Sequence, residues 1–351
     1  MVALYITSTE SKGKTTFCAG ISKKLLDRGA KIGFMMPVHV TEAGGSNGCA
    51  DATFMKDIMK LPESEELICP IRLSANELWK NLAEDTTKFV QNLKQAYSKI
   101  EQGKDIVVLE GPGNLNIDKV SNLACYTIAD GLEARVIIVL DYSPNLDVSK
   151  IEKIRTKLKH LIGVVVNFVP KSKIQKIRPQ LIDSFSKAGI KVLGVLPEVR
   201  SLLGVTVAEL ARALDGEILV CQEKADELVE NVMLGAMTVD SGVNYFSRKD
   251  NKAVLVRGER ADMQLAALQT STKCLIVTDN IRPLPFVMVQ AQEKQVPVIM
   301  VKQDTASAIA GIEKTLAESS FRSPRKLEIF DMVLDSYFDL EAFYAGLGLK
   351  G

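Results

Sequence analysis

Histidine and closely spaced cysteines are scarce in this chain of 351 residues. Its two histidines, His39 and His160, are too few for the usual zinc ligand sets. Its six cysteines are Cys18, Cys49, Cys69, Cys125, Cys221 and Cys274. They are scattered singly, with no C-x-x-C pair, which predicts reduced and partly buried thiols in a cytosol rather than structural disulfides.

A charge excess and a long apolar run are also absent. The chain has 44 basic and 43 acidic side chains and a net charge of +1, whereas a dedicated nucleic-acid-binding protein normally carries a basic excess or stripe. No apolar run approaches the roughly 20 residues of a membrane span, and the segment Met1–Ile6 lacks the basic leader of a signal peptide. We therefore expect a cytoplasmic protein that binds neither nucleic acid nor a membrane.

The chain is long enough for two hydrophobic cores. It is 46% hydrophobic and 25% charged, a normal globular balance, and its 351 residues exceed what one core usually spans. We predict a first α/β domain at residues 1–200, a linker helix at 201–216, a second and smaller α/β domain at 217–318, and a helical C-terminal tail at 319–351.

In the first region, short β-branched runs alternate with amphipathic helices. The predicted strands are Val2–Thr7, Lys31–Val38, Asp105–Leu109, Val136–Leu140, Gly163–Phe168 and Val192–Leu196, and the predicted helices include Thr15–Arg28, Asp85–Glu101, Lys150–Leu158 and Pro179–Ala188. Several strands are apolar on both faces, as strands buried in a parallel sheet must be. The alternation predicts a doubly wound α/β domain with a mostly parallel sheet, whose ligand site lies at the carboxyl ends of the strands.

The pattern changes near residue 200. The segment Ser201–Leu214 predicts one connecting helix, and a second strand–helix pattern begins after Gly216. Its predicted strands are Glu217–Cys221, Ala253–Val256, Cys274–Val277 and Val298–Val301, and its predicted helices are Ala261–Gln269 and Pro285–Lys294. In the tail we predict one aromatic-rich helix, Leu340–Ala345.

The strongest chemical signal is the segment Ser8–Thr15, STESKGKT, which follows the first predicted strand and precedes a helix. In such a loop, successive backbone N–H groups wrap a phosphate chain, and the positive end of the helix dipole adds to the attraction. Lys14 would reach the β- and γ-phosphates, and the Thr15 hydroxyl would ligate Mg²⁺. The predicted nucleotide-binding residues of this loop are Thr9, Glu10, Gly13, Lys14, Thr15 and Thr16.

The loop departs from G-x-x-x-x-G-K-[ST] at its first position, where Ser8 replaces glycine. We expect the loop to tolerate this serine, because the left-handed conformation is needed mainly at the glycine before the lysine. The alternative interpretation is an ordinary glycine turn followed by a solvated lysine.

A second motif, Lys104–Gly113 or KDIVVLEGPG, is a predicted buried strand that ends in a carboxylate and a glycine turn. In P-loop enzymes a carboxylate at the end of a neighbouring strand holds Mg²⁺ or its waters beside the γ-phosphate. Glu110 fits this role, and with Lys14 it is a predicted catalytic residue. The alternative is a strand-terminal glutamate that faces water.

Four motifs, STESKGKTT, VVLEGPGNL, GVVVNFVP and KVLGVLPE, occur in the order found in dethiobiotin synthetases and cobyrinic acid a,c-diamide synthases. Over roughly residues 2–200 the chain most resembles the dethiobiotin-synthetase-like amino-terminal region of long phosphotransacetylases. The resemblance implies a P-loop NTPase-type fold with ATP and Mg²⁺ as its ligands.

The resemblance also implies roles for individual residues. Asn167 stands where the family's asparagine reads the adenine edge, and Pro197 and Glu198 stand in the nearby loop that closes over the base. Asp51 matches the family's aspartate at the metal and the γ-phosphate. The implied metal ligands are Thr15, Asp51 and Glu110. Without the resemblance, Asn167 would be a turn former at a strand end.

One position departs from dethiobiotin synthetases in a way that concerns the reaction. Those enzymes have a lysine in a K-P-V segment near the substrate carbamate and the phosphates, whereas this chain has Met36 before Pro37 and Val38. A thioether cannot stabilise an anionic carbamate or a developing phosphate charge. The departure argues against dethiobiotin synthesis and leaves open a ligase with another substrate.

Residues 217 to about 310 resemble the DRTGG domain, which implies a sensor or dimerisation unit. The segment LVRGERADMQLAAL holds the family's glycine-acid-arginine turn at Gly258–Arg260, followed by Asp262. Arg260 would either bind an anion or form a structural salt bridge with Asp262 or another acid.

The second DRTGG segment, LIVTDNIRP, is kept only in part. Thr278 is retained, but Asp279 and Asn280 replace the family's two glycines. That exchange removes backbone freedom and places side chains where a ligand would need close approach.

Two functions therefore remain open. The first is a nucleotide-binding regulatory protein, in which ATP occupancy of the P-loop domain is coupled to the DRTGG domain of a homodimer. The second is an ATP-dependent ligase that acts on a carboxylate or an amine. A phosphotransacetylase is a candidate partner, because in the long phosphotransacetylases the catalytic domain lies beyond the DRTGG region.

Overall fold

The structure, a computed structural model, describes residues 1–9, 13–41, 49–112, 119–236, 239–317, 319 and 321–349. The chain divides into two compact units. The first unit comprises Met1–Glu198 together with Phe330–Gly351, and the second comprises Val199–Ile329.

Strands and helices alternate along both units. In chain order the strands are β1 (Val2–Ser8), β2 (Ile32–Met35), β3 (Val38–Thr41), β4 (Ile71–Ser74), β5 (Ile106–Glu110), β6 (Arg135–Asp141), β7 (Leu161–Val169), β8 (Val192–Pro197), β9 (Val205–Thr206), β10 (Glu217–Val220), β11 (Leu228–Val229), β12 (Asn231–Leu234), β13 (Lys252–Arg257), β14 (Thr272–Thr278) and β15 (Val298–Met300). The helices are α1 (Lys14–Asp27), α2 (Ala50–Met59), α3 (Glu65–Ile68), α4 (Ala75–Glu84), α5 (Thr86–Ile100), α6 (Lys119–Gly131), α7 (Val148–Arg155), α8 (Ile174–Lys187), α9 (Arg200–Leu203), α10 (Val207–Ala213), α11 (Val239–Phe246), α12 (Ala261–Leu268), α13 (Pro285–Glu293), α14 (Thr305–Ala317), α15 (Pro324–Tyr337) and α16 (Leu340–Leu347).

The first unit is built on a six-stranded sheet with the order β2-β5-β1-β6-β7-β8, in which every pairing is parallel. All of β5 is buried, as expected of a parallel sheet covered on both faces. The predicted P-loop NTPase-type, doubly wound α/β fold is thereby confirmed. Because β1 lies between β5 and β6, the strand order reverses at β1, and ligands of such sheets bind beyond the carboxyl ends at this reversal.

Two predicted elements of the first unit differ from the structure. The run Lys31–Val38 is not one strand: β2 ends at Met35, and β3 pairs with β4 in a separate two-stranded sheet. The helix predicted to begin at Pro179 begins at Ile174 and contains the proline. Ile174 is buried, so packing of the helix start outweighs the backbone hydrogen bond that Pro179 lacks.

The C-terminal region also differs from the predicted tail. The structure has two helices there, α15 and α16, instead of the single helix Leu340–Ala345, and the chain from Phe330 onward belongs to the first unit. Phe330 and Leu334 are four residues apart on α15 and are both buried, and Phe338, which directly follows the helix, is buried as well. A Cβ placed on Gly20 of α1 would lie 2.6 Å from Phe330 Cδ1. The absence of a side chain at Gly20 therefore lets α15 pack directly on α1.

The second unit has a five-stranded sheet with the order β10-β15-β14-β13-β12. Strand β10 is antiparallel to β15, and the other pairings are parallel. Alternate residues of β13 and β14 belong to two separate apolar clusters, so the sheet is covered on both faces. A smaller α/β domain in this part of the chain was predicted and is confirmed, although β12 was not anticipated.

The predicted connecting helix Ser201–Leu214 is interrupted. Helices α9 and α10 are separated by β9, which pairs antiparallel with β11. A Cβ on Gly204 would lie 2.5 Å from the Val229 carbonyl oxygen, so the chain here approaches another backbone too closely for a side chain. Thr206 then starts α10, with its hydroxyl accepting a hydrogen bond from Glu209 N at 3.1 Å. Backbone pairing and the new helix cap explain why one helix does not form.

Within the described ranges, no helix is both long and apolar enough to cross a membrane.

The packing of α15 on α1 predicts a stability difference between two neighbouring substitutions. Phe330→Ala should lower the free energy of unfolding by about 3–5 kcal/mol, because it empties a buried aromatic site; Phe330 is 2% exposed. Met332→Ala on the same helix is the control, since Met332 is 61% exposed and its loss should change stability by at most about 0.5 kcal/mol. Urea denaturation followed by circular dichroism measures both, and equal effects would contradict the packing of α15.

Candidate functional site

The candidate site lies at the carboxyl ends of β1, β5 and β7, beside the start of α1. Gly13 directly precedes α1 and has φ 91°, a left-handed conformation that favours glycine. A Cβ at Gly13 would lie 2.9 Å from Asn167 Nδ2, so the loop also needs glycine for close approach. Glu10, predicted to contact the nucleotide, lies outside the described residues.

The lysine of the motif is buried in the first unit. Lys14 is 7% exposed, and its Nζ donates a hydrogen bond to Ser8 Oγ at 3.1 Å. Lys14 is therefore not a solvated surface lysine. Ser8, which replaces the first glycine of the P-loop pattern, contributes a hydroxyl directly to the lysine.

The structure also describes Thr9 and Thr16, two other residues that were predicted to bind the nucleotide. Thr9 is 4% exposed, and its backbone N–H already donates to the Val139 carbonyl oxygen at 3.2 Å, continuing the pairing of β1 with β6. Thr16 is half-buried in the first turn of α1. The Thr9 N–H therefore stabilises the sheet rather than the loop.

A buried carboxyl group lies opposite the start of α1. Glu110 is the last residue of β5 and is 4% exposed, which excludes the water-facing alternative. The Thr15 hydroxyl donates to Glu110 Oε1 at 2.7 Å. Burial raises the pKa of Glu110 to about 7, and the Asp51 charge adds to this rise, whereas the Thr15 hydrogen bond and the Lys14 charge oppose it.

These groups have the chemistry that a hard cation requires. The second carboxyl oxygen, Glu110 Oε2, is buried and has no hydrogen-bond partner among the described residues. Asp51 lies in the first turn of α2, close enough for its charge to raise the Glu110 pKa. The described ranges contain no group of three or more His, Cys, Asp or Glu residues positioned to hold a metal ion. Mg²⁺ does not need one, because it is commonly held by one or two carboxylates, waters and substrate phosphates.

On the other side of the P-loop, Asn167 is held in a fixed orientation. It is 8% exposed, and its Oδ1 accepts a hydrogen bond from Phe168 N at 2.9 Å. Phe168 itself has φ 58°, an uncommon conformation for an aromatic residue. Its ring lies 3.9 Å from the Cβ position of Gly13. Phe168 was not singled out from the sequence, because only the local backbone shows why it adjoins the loop.

Pro197 and Glu198 follow the neighbouring strand at the same edge of the sheet. Pro197 is paired with Val169 at the end of β7, and Glu198 N donates to the Val169 carbonyl oxygen at 2.8 Å. The fold thus places the predicted base-binding residues at the ends of adjacent strands.

A contact between two sulfur atoms near the site was not predicted from the sequence. All six cysteines are buried and free of disulfides. The Cys49 thiol donates to Met36 Sδ at 3.4 Å, and His39 Nδ1 lies 3.8 Å from Cys49 Sγ. Met36 and Cys49 are 13 residues apart in the sequence, so local periodicity gave no signal of their contact.

In the second unit, the DRTGG-like turns have a structural explanation. Arg260 binds the Asp262 carboxylate through Nε at 3.0 Å and Nη2 at 2.8 Å, which favours the salt-bridge interpretation over anion binding. Asp279 and Asn280 have φ 66° and 54°. They adopt the left-handed conformation that glycines would adopt without cost at these positions, and the Thr278 hydroxyl donates to Asp279 Oδ2 at 2.7 Å.

The raised pKa of Glu110 predicts how stability changes with pH. The pKa is about 7 in the folded protein against 4.5 for an ordinary glutamate, so the folded state binds more protons between these values. The unfolding free energy should therefore fall as the pH rises through this window, by about 3 kcal/mol from this group. Glu110→Gln retains an acceptor for Thr15 but cannot ionise, so it should gain stability relative to the native chain between pH 5 and pH 8, by about the same amount.

Urea denaturation at several pH values in a buffer with a metal chelator measures this difference. Glu152→Gln is the control, because Glu152 is exposed on α7 and its removal should leave the pH dependence unchanged. An identical pH dependence in Glu110→Gln and the native chain would contradict the assignment.

Comparison with curated proteins identifies relatives of two kinds. The chain is 24% identical to the phosphate acetyltransferase of Nitratidesulfovibrio vulgaris over 365 residues, covering 95% of this chain and 50% of that protein. It is 21% identical to the phosphate acetyltransferase of Haemophilus influenzae, covering 73% of this chain and 38% of that protein. It is 22% identical to the ATP-dependent dethiobiotin synthetase BioD of Methanococcus vannielii, covering 55% of this chain and 92% of that protein. The chain thus spans half or less of these two phosphate acetyltransferases.

Two solved structures align with parts of the chain. The MinD cell division protein of Aquifex aeolicus aligns over 58% of this chain and 85% of its own, with a TM-score of 0.37 and 15% identity. The CBS and DRTGG domains of the Clostridium perfringens pyrophosphatase, solved with the activator diadenosine tetraphosphate, align over 40% of this chain and 69% of their own. Their TM-score is 0.30 and their identity 14%. Scores of this size support no functional argument.

Family profiles match both parts of the chain. The AAA domain profile matches residues 2–206, and the DRTGG domain profile matches residues 209–315. The alignment with the phosphate acetyltransferase of Nitratidesulfovibrio vulgaris covers 95% of this chain and therefore extends over both matched segments. The chain belongs to the AAA domain family in its dethiobiotin-synthetase-like P-loop form and carries a DRTGG domain after it, the architecture of the amino-terminal region of long phosphotransacetylases.

Proposed function

We propose that this chain is a cytoplasmic regulatory protein that binds ATP with Mg²⁺ and couples occupancy of its P-loop to its DRTGG domain within a homodimer. One observation carries the nucleotide-binding proposal. Glu110 is buried at the end of β5, binds the Thr15 hydroxyl through one oxygen and has no hydrogen-bond partner among the described residues at the other. A hydrated cation would give that oxygen a partner and would offset a charge that burial otherwise disfavours.

The groups around this carboxyl suit a nucleoside triphosphate. Lys14 Nζ contacts the neutral Ser8 hydroxyl, and a phosphate oxygen is a stronger acceptor for an ammonium group. Thr15, Glu110 and Asp51 would hold Mg²⁺, which neutralises charge on the β- and γ-phosphates when it is bound. Asn167, next to Gly13, has both a donor and an acceptor for the edge of adenine.

The surroundings of Met36 favour a regulatory role over catalysis. Met36 is 7% exposed, and its sulfur accepts the Cys49 thiol. An apolar thioether in this place cannot stabilise an anionic carbamate. ATP would therefore bind without transfer of its phosphate to the substrate that dethiobiotin synthetases use.

The alternative is an ATP-dependent ligase that acts on a carboxylate or an amine, with Lys14 and Glu110 as catalytic residues. The observation that favours it is the alignment with 92% of the dethiobiotin synthetase BioD. A phosphotransacetylase remains a proposed partner, because the chain aligns with only 50% of the phosphate acetyltransferase of Nitratidesulfovibrio vulgaris.

Calorimetric titration of ATP with Mg²⁺ tests the nucleotide site. The native chain should bind, and Lys14→Ala should weaken binding about 10–100-fold, the loss expected for a hydrogen bond to a charged group. Lys80→Ala is the control, because the Lys80 side chain is 71% exposed. Absence of ATP binding to the native chain would refute the proposal.

A phosphate-release assay on the same samples separates the two functions. Negligible release favours the regulatory role. Release that depends on an added carboxylic acid or amine and disappears in Lys14→Ala would establish a ligase.

Hydrogen exchange tests the coupling to the second unit. On addition of ATP with Mg²⁺, amide exchange in the segment Ala253–Asn280 should slow in the native chain, because that segment holds β13, β14 and the DRTGG-like turns. Lys14→Ala should show no such change under the same conditions. If the native chain binds ATP while exchange in the second unit and the oligomeric state stay unchanged, the regulatory proposal is wrong.

A further inference from the structure

The outer face of α13 (Pro285–Glu293) is apolar but exposed. On its inner face, Val287 and Ala291 are four residues apart and fully buried within the second unit. On its outer face, Phe286 and Val289 are 51% and 58% exposed. A helix with apolar residues on both faces is normally covered on both. The outer face of α13 therefore has the composition of a buried surface.

Two further apolar side chains extend this face. Ile281 and Leu284 lie in the segment that leads into α13, and both are exposed. With Phe286 and Val289 they supply four of the twelve exposed large hydrophobic residues in the described ranges, within only nine positions of the sequence. Single exposed apolar residues are common on protein surfaces, whereas a cluster of them marks an interaction site. We call these four residues the α13 patch.

The α13 patch adjoins the DRTGG-like turn at Gly258. A Cβ on Gly258 would lie 2.3 Å from Ile281 Cβ and 2.9 Å from the Ile281 carbonyl oxygen, so the turn packs directly on one end of the patch. The buried amide of Gln264 holds the same turn, because its Nε2 donates to the carbonyl oxygens of Arg257 and Gly258, each at 3.0 Å. A molecule that covers the patch would therefore also restrain this turn.

Charged residues lie at both ends of α13, with signs opposite to those that the helix dipole favours. Arg282 precedes the amino end, Glu293 is the last helical residue, and both are exposed. A cation is unfavourable at the positive amino end of a helix, and an anion is unfavourable at its negative carboxyl end. Lys294, which follows the helix, has the favourable sign, but it lies about 100° around the helix from Glu293 and away from the apolar stripe. The dipole of α13 itself therefore does not explain Arg282 and Glu293.

A second copy of the same helix explains both charges. When two α13 helices pack antiparallel about a twofold axis, the amino end of each lies beside the carboxyl end of the other, so Arg282 meets Glu293 of the partner subunit twice. Positions 282 and 293 have the same midpoint as positions 286 and 289, so the axis passes through the apolar centre and Phe286 faces Val289 of the partner subunit. Each charge then also lies at the end of the other helix that attracts it. The face is therefore complementary to itself, as a twofold contact between identical subunits requires.

We propose that this chain forms a homodimer through the outer face of α13, which packs antiparallel on α13 of a second copy. Phe286 and Val289 form the centre of the contact, and ion pairs between Arg282 and Glu293 close both ends. The inference rests on the homodimer of the proposed function and assigns a surface to it, but it does not depend on nucleotide binding. Four half-exposed side chains bury less than the roughly 800 Å² that each partner contributes to a standard interface, so the dimer should dissociate and form again as the protein concentration changes.

Sedimentation equilibrium of the full chain at several concentrations tests the apolar centre. The native chain should follow a monomer–dimer equilibrium. Phe286→Asp and Val289→Asp should each weaken dimerisation at least about tenfold, because each places a carboxylate at the centre of the contact and occurs twice in a symmetric dimer. Met332→Asp is the control, since Met332 is a similarly exposed apolar residue of the first unit and its substitution should leave dimerisation intact. Circular dichroism checks that all variants fold, as expected for substitutions at exposed positions.

Charge reversal tests the antiparallel arrangement. At low salt, where surface charges are least screened, Arg282→Glu and Glu293→Arg should each weaken dimerisation about tenfold, because each brings like charges together at both ends of the contact. The double variant Arg282→Glu/Glu293→Arg should dimerise like the native chain. An equimolar mixture of the two single variants should also associate, because the carboxylates of one then face the guanidinium groups of the other. A folding defect could not produce this rescue.

Three results would overturn the inference. If the native chain dimerises and neither Phe286→Asp nor Val289→Asp weakens the dimer, the dimer uses another surface, and the homodimer of the proposed function stands without this interface. If Phe286→Asp weakens dimerisation but the two charge-reversed single variants do not associate with each other, the antiparallel pairing is wrong. If the native chain is monomeric at every concentration, the inference and the proposed homodimer both fail, while the calorimetric titration of ATP still decides nucleotide binding by itself.

Discussion

The burial of the Glu110 carboxyl group is the constraint on which the candidate site depends. A parallel sheet that is covered on both faces shields the end of its inner strand β5, and Glu110 is 4% exposed there. The Thr15 hydroxyl donates to Oε1, and burial raises the pKa of Glu110 to about 7. A group that disfavours folding at neutral pH and lies at the reversal of strand order is typical of a functional site rather than of a structural one.

The backbone at the start of α1 requires a residue without a side chain. Gly13 has no side chain, so its left-handed backbone approaches Asn167 at the end of β7. Further along the same helix, Gly20 leaves room for Phe330 of α15. Helix α1 therefore follows the P-loop at its amino end and packs against α15 on its side. A Cβ at either glycine would be in steric conflict with a neighbouring side chain.

Two exchanges distinguish this chain from the families that it resembles, and each changes the chemistry of a particular contact. Met36, whose sulfur accepts the Cys49 thiol, stands where dethiobiotin synthetases have a lysine, and this exchange removes a cation from the site. In the second unit, Asp279 and Asn280 retain the left-handed backbone that suits the family's glycines. The backbone of that turn is thus preserved while its chemistry is changed, because the hydroxyl of Thr278 now bonds to a carboxylate.

The sequence by itself determined the P-loop fold and the residues Lys14, Thr15 and Glu110 as candidates. Each of them stands at the end of a strand or the start of a helix, and parallel strands bring such ends to one edge of a sheet. The sequence did not predict the division of Lys31–Val38 into β2 and β3, the interruption of the linker helix, the packing of α15 on α1, or the contact between Met36 and Cys49. Local periodicity and turn chemistry depend on neighbours within a few residues, whereas these features depend on contacts between segments distant in the chain, which only the tertiary structure decides.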